Sequence, residues 1–137
     1  MKKFIHILFF LILVVSAGGL VASVTLQYFT AKTSGDGIFI EWKTGDEGGT
    51  AIFDLERSAT TPDNFVSIKA LNAAGNNSYY SYQDNSVNIM GVMGSIYYYR
   101  LKCILGNGSY TYSNSISVIH SVSGIKTTWG SIKAIFR

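Results

Sequence analysis

From Thr25 onward, apolar and polar residues alternate in short runs, each closed by a cluster of turn-forming residues. Leu26–Lys32 is the first run, ended by Ser34-Gly35-Asp36-Gly37. Ile38, Ile40 and Trp42 then alternate with Phe39, Glu41 and Lys43, the pattern of a half-buried strand. Beyond Gly45-Asp46-Glu47-Gly48-Gly49, Phe53 and Leu55 alternate with Asp54 and Glu56 up to Ser58. Thr60-Thr61-Pro62-Asp63-Asn64 makes a turn, and Phe65–Leu71 reads as an edge strand. A polar loop, Asn72–Asn77, precedes a short run in which Tyr80 and Tyr82 alternate with Ser81 and Gln83. The longest run, Ile96–Leu105, joins the last, Ser109 to about Ile119, through Gly106-Asn107-Gly108, whose residues tolerate positive φ. Short strands at this spacing, with no helical period between them, predict an all-β, seven-stranded antiparallel sandwich over residues 25–120.

Parity assigns the faces, because successive strand residues point to opposite sides of a sheet. Tyr97, Tyr99, Leu101 and Cys103 fall on one face of the sixth strand and are expected in the core; Ile96, Tyr98, Arg100 and Lys102 fall on the other. By the same rule Glu56 points outward on the third strand. If the third and sixth strands are neighbours, it can pair with Arg100 across them, a contact worth well under ~1 kcal/mol if exposed. Parity also places Tyr80 and Tyr82 inside, and leaves Tyr79, Tyr98 and Tyr110 outside on two different sheets, which makes no shared platform for a sugar.

The N-terminus breaks the pattern. Met1-Lys2-Lys3, an apolar run Phe4–Val15 and the small residues Ser16-Ala17-Gly18-Gly19 form a secretory signal segment over residues 1–19. Cleavage after Ala17 or Gly19 fits. Apolar character continues through Ala22, so an uncleaved anchor reaching to about residue 24 is the competing outcome. Gly18-Gly19 and Ser16 weaken such a helix, and cleavage is favoured. Either way the chain is expected to be exported, to the periplasm, outer membrane or beyond.

Charge changes the picture once it is located. The formal net charge is +3, yet residues 24–123 hold six basic and eight acidic residues, a net of −2. No basic stripe follows any predicted strand, so nucleic-acid binding is not expected. Cys103 is the single cysteine, which rules out an internal disulfide and leaves stability to core packing.

The order Phe29-Thr30-Ala31-Lys32, Trp42-Lys43-Thr44, Phe53-Asp54-Leu55-Glu56-Arg57-Ser58 is similar to the opening of immunoglobulin-like, fibronectin type III-like modules in secreted proteins of Bacteroidetes-type bacteria. The resemblance continues through Phe65-Val66-Ser67-Ile68, Tyr80-Ser81-Tyr82-Gln83-Asp84, Tyr97-Tyr98-Tyr99-Arg100-Leu101-Lys102 and Tyr112-Ser113-Asn114, covering about Leu26–Ile119. It implies a two-sheet sandwich with Trp42 in its core and a tyrosine of the Tyr97–Tyr99 run at the corner between the fifth and sixth strands. It implies no catalytic residues.

Candidate chemistry is sparse. His6 lies in the signal segment, and His120, after the last strand, is expected to be solvated. Asp36, Asp46, Glu47, Asp63 and Asp84 fall in separate turns. Asp46-Glu47 matches no calcium-loop spacing and reads as a solvated turn, while Asp84-Asn85 shapes its own turn. No catalytic, metal-binding or cofactor-binding residue is therefore expected, and the chain is not expected to be an enzyme. Residues 121–137 form a basic, apolar tail that Thr127 or Thr128 could cap as a short helix. Trp129, Ile132, Lys133, Ile135, Phe136 and Arg137 are its candidate partner-binding residues, unless the tail folds back over the sandwich. The expected function is an exported, non-catalytic structural or protein-interaction module with a protein partner at the cell envelope. The alternative is a small carbohydrate-binding or adhesin-like domain. Membrane contact is expected only through the signal segment or the tail.

Overall fold

Ile38, Ile40 and Trp42 are wholly buried while Phe39, Glu41 and Lys43 between them stay partly exposed, so the second strand lies as its alternation predicts. The computed structural model describes residues 23–88 and 94–121. Residues 1–22 and the tail with Trp129, Ile132, Lys133, Ile135, Phe136 and Arg137 lie outside the described residues. In chain order the strands are β1 (Leu26–Ser34), β2 (Gly37–Thr44), β3 (Thr50–Ala59), β4 (Val66–Asn72), β5 (Tyr79–Asp84), β6 (Ser95–Leu105), β7 (Tyr110–Tyr112) and β8 (Ile116–His120). One turn of 3₁₀ helix, Ser86–Asn88, follows β5.

Two antiparallel sheets result. The first has the order β1-β2-β5, the second β4-β3-β6-β7 with β8 also paired to β6. Their inner faces meet in an aromatic core. The Trp42 ring stacks on Tyr80 within its own sheet, at 5.1 Å and 13°, and meets Phe53 of the opposite sheet edge-on at 6.2 Å. Phe29 closes on Trp42 at 6.4 Å and 88°. Offset and edge-on pairs of this kind add to the stabilisation from buried area alone. The Trp42 indole N–H has no acceptor among the described residues, so apolar packing is what holds this ring. Tyr97, Tyr99, Leu101 and Cys103 complete the core from β6, on the face that parity predicts. Tyr82 packs against this core from the edge strand β5, as parity places it, but is only partly buried. Tyr98, on the outer face, is likewise half-covered.

The last predicted strand is two strands, which makes eight in the described residues. Ser113 is the cause. Its Oγ accepts the Leu101 N–H at 2.9 Å, a bond that a regular neighbour strand would make with its backbone carbonyl, while its own N–H donates to the Leu101 carbonyl at 2.9 Å. The chain shifts over residues 113–115 and pairing with β6 resumes at Ile116, opposite Tyr99. β8 then comes against β1, where the Thr33 hydroxyl donates to the Ile119 carbonyl at 3.0 Å. Gly37 permits a comparable closeness at the β2–β5 end: a Cβ there would lie 2.6 Å from the Asp84 carbonyl oxygen.

Candidate functional site

The polar side chains of the described residues separate into two buried networks and two exposed faces. The first network starts from Arg57. Continuing the Phe53, Leu55 alternation puts residue 57 on the inner face of β3, and an arginine there needs a partner. Its Nη1 donates to Asp84 Oδ2 at 2.6 Å, and their side chains are 10% and 1% exposed. Asp84 Oδ2 also accepts the Tyr99 hydroxyl at 2.9 Å, and Oδ1 accepts Ser86 Oγ at 2.6 Å and Ser86 N–H at 3.1 Å. One carboxylate thus joins β3, β5, β6 and the 3₁₀ turn. Burial alone would raise the pKa of Asp84, but the bonds from Ser86, Arg57 and Tyr99 and the arginine charge outweigh it, leaving the carboxyl below its ordinary value. Burial, and then the Asp84 charge, push the Tyr99 phenol far above the ordinary tyrosine value.

The second network corrects the expectation of a solvated turn at Asp46-Glu47. Glu47 is 4% exposed. Its Oε1 accepts the Tyr80 hydroxyl at 2.6 Å and the Thr44 hydroxyl at 3.0 Å, and its Oε2 accepts the Gly75 N–H at 3.0 Å. The Glu47 N–H donates in turn to Asn76 Oδ1 at 2.8 Å. These bonds tie the β2–β3 loop to the β4–β5 loop at one end of the sandwich. One backbone N–H and two hydroxyls satisfy the carboxylate, which is why the loop turns inward. Burial, and then the bond to Glu47, raise the Tyr80 pKa. His120 also departs from expectation: it is 2% exposed, its Nε2–H donates to the Asp36 carbonyl at 3.0 Å, and its ring meets Tyr97 edge-on.

Cys103 is buried on β6, and burial, followed by the Glu47 charge, pushes its thiol up to about 11. The thiolate is the reactive form. Alkylation of the native protein at neutral pH should therefore be negligible over a time in which the unfolded chain is fully modified, as read by intact mass.

On the outer face of β1-β2-β5, Tyr28 and Tyr79 are exposed and flank Lys43 in register. The Tyr79 hydroxyl donates to Glu41 at 2.9 Å, and that bond above all raises its pKa. The outer face of the second sheet is more organised. The expected Glu56–Arg100 pair forms there, with Nε to Oε2 at 2.7 Å, and Glu56 is only 7% accessible. The Arg100 guanidinium lies 4.2 Å from the Phe65 ring centre and 3.9 Å from that of Tyr112, so rings cover it on both sides. Lys102 Nζ lies 4.2 Å from the centre of the Tyr110 ring. Tyr110 and Tyr112 meet edge-on at 5.4 Å and are 53% and 45% exposed. Register explains the pattern: Lys102 is opposite Tyr112 and Ile104 opposite Tyr110, so each cation leans diagonally onto a ring of β7.

Tyr112 also borders an open cleft of ≈ 440 Å³ between the free edges of β1 and β7, with Val24, Leu26, Tyr28, Phe29, Ser113, Asn114 and Ile116. Sequence reasoning placed Arg100, Lys102 and Tyr110 outward and missed Tyr112 and Phe65. The signal was the i, i+2 spacing of Tyr110 and Tyr112 beside the Gly106–Gly108 turn, which puts both rings against the charged face of β6. Among the described residues no group of three or more His, Cys, Asp or Glu is placed to hold a metal ion.

The chain matches no family model and no curated protein. Among solved structures it is similar to pectate lyase PelI from Erwinia chrysanthemi in complex with tetragalacturonic acid, at 21% identity and a TM-score of 0.51. The similarity covers 71% of this chain and 28% of that one, and what the two share at this identity is a fold.

Proposed function

We propose that this chain is an exported, non-catalytic module of the immunoglobulin or fibronectin type III-like kind that binds a partner at the cell envelope or outside the cell. The observation that carries the reading is how the ionisable side chains are divided. Arg57, Asp84 and Glu47 are buried and spent on joining sheets and loops, while Arg100, Lys102, Tyr110 and Tyr112 stand together on an outer sheet face. Catalysis draws on titratable groups that converge on a reacting atom; recognition draws on a fixed surface. The strand order β1-β2-β5 against β4-β3-β6-β7, with β8 beside β6, supports the module assignment, since it matches an A-B-E sheet packed on a C′-C-F-G sheet.

Fractionation of the tagged full-length protein with intact-mass analysis tests export. A mature form starting after Ala17 or Gly19, outside the inner membrane, is expected; an uncleaved chain in the cytosol would sink the reading. The same experiment on a chain truncated after Gly124 assigns the tail. Mislocalisation would make Trp129–Arg137 an address or docking element, and unchanged location with a lower melting temperature would make it part of the fold. A second reading, a carbohydrate-binding or adhesin-like domain, draws on the exposed Tyr110–Tyr112 pair.

A further inference from the structure

The outer face of the second sheet carries two cations, and their surroundings differ. Arg100 already has a carboxylate of its own: its Nε is bonded to Glu56 at 2.7 Å, and the Phe65 and Tyr112 rings lie against it. Lys102 stands directly opposite Asp54 in the β3–β6 register, yet the Asp54 carboxylate accepts the Ser67 hydroxyl, and the lysine turns the other way, onto Tyr110. No ion pair among the described residues includes Lys102. Its ammonium therefore sits beside two exposed tyrosines, with most of its hydrogen-bonding capacity open to a ligand.

We propose that the Lys102–Tyr110–Tyr112 strip binds an acidic oligosaccharide, with a pyranose ring lying on an exposed tyrosine and its carboxylate on the Lys102 ammonium. Three features support a sugar. Tyrosine rings combine an apolar body with a polar tip, as the two faces of a pyranose require. Both rings are held by cations on the neighbouring strand, so little side-chain freedom is lost on binding. The strip also runs through Tyr112 into the ≈ 440 Å³ cleft, whose Ser113 and Asn114 give further polar contacts to a chain longer than one ring. Acidity follows from Lys102, the one cation of the face with no carboxylate of its own. Glu56 is neutralised by Arg100, and Asp54 faces Ser67, so neither carboxylate lies between Lys102 and the tyrosines. The inference rests on the reading of the chain as a binding module and supplies its ligand class.

The test is calorimetric titration of the full mature chain at low salt with an oligomannuronate, a neutral oligoglucoside of equal length and an oligoglutamate. Saturable binding of the oligomannuronate alone is expected, weakening as salt is raised. Lys102→Gln should lower that affinity about tenfold, the size of one charge-assisted contact. Tyr110→Ala should remove measurable binding and Tyr110→Phe should retain it. Unchanged melting temperatures establish that the variants remain folded. Equal affinity for the neutral sugar, preference for oligoglutamate, no saturation with any probe, or full affinity in Lys102→Gln would each overturn the proposal. Mass analysis of the oligomannuronate after incubation separates the two levels of inference. Shortened product would sink the non-catalytic reading, whereas intact and unbound sugar would remove this ligand assignment alone.

Discussion

Replacing Asp84 by Ala should destabilise the sandwich by about 3–5 kcal/mol, the usual cost of removing one partner of a buried ion pair. For a domain of this size that corresponds to a fall of more than about 10 °C in melting temperature. The size follows from the four bonds that Asp84 accepts from Arg57, Tyr99 and Ser86, of which Arg57 and Tyr99 are buried and would lose this partner away from water. The sign with pH is also set. The carboxyl of Asp84 lies below its ordinary value of 3.8 in the folded chain, so its contribution is complete above that pH and is lost as pH falls through the lower, folded-state value. The gap in stability between the native chain and Asp84→Ala should then be constant from neutral pH down to about 5 and close in stronger acid. Urea unfolding at a series of pH values reads both numbers; a gap that widens in acid would contradict the assignment. An apolar replacement of the set, Arg57→Met with Asp84→Leu and Tyr99→Phe, should recover part of the loss, because the charges and the hydroxyl leave together.

Glu47→Ala should cost about 3 kcal/mol and act locally. It leaves the Tyr80 hydroxyl and the Gly75 N–H without their acceptor, each worth roughly 1–3 kcal/mol if nothing replaces it, while the Thr44 hydroxyl can turn to the Ser78 carbonyl at 3.3 Å and water recovers part at the sandwich end. Hydrogen exchange should quicken in the loops 44–50 and 73–78 while the β3–β6 ladder keeps its protection relative to global stability. Glu47→Gln should fall between, since the amide keeps one oxygen but turns its NH₂ toward a donor. Uniform loss of protection across both sheets would mean that Glu47 supports the core rather than the loops. Tyr80→Phe, which removes one donor to Glu47 and the acceptor for Ala74 N–H, should show the same loop pattern to a smaller degree.

What the sequence made legible was whatever depends on period two. Ile38, Ile40 and Trp42, then Phe53 and Leu55, then Tyr97 to Cys103 all fall inside, as alternation requires, and the Glu56–Arg100 pair follows from the same parity. Alternation does not report what a loop residue does. Glu47 and His120 lie outside the predicted strands, and only the three-dimensional closeness of Gly75 to one and Asp36 to the other draws them inward. Arg57 was within reach: it is two residues beyond Leu55, and its parity alone required a buried partner. Ser113 was not, because a serine that takes over a backbone bond cannot be told by pattern from one that faces water. Phe65 and Tyr112 come from separate parts of the chain, and their convergence on Arg100 depends on the neighbours that β3 and β6 acquire when the sheet forms.

The interruption at Ser113 bears on how copies of this chain behave at high concentration. A row of free N–H and C=O groups at a sheet edge is a template on which another chain can add a strand, and stacking of that kind is how fibrils grow. Here the template on the β7 side is three residues long, and β8 beyond it lies under the Thr33 side of β1. An incoming strand finds too few consecutive groups to register against. By breaking its own last strand in two, the chain thus shortens the template at this one edge, while β1, β4 and β5 remain the longer edge strands of the two sheets.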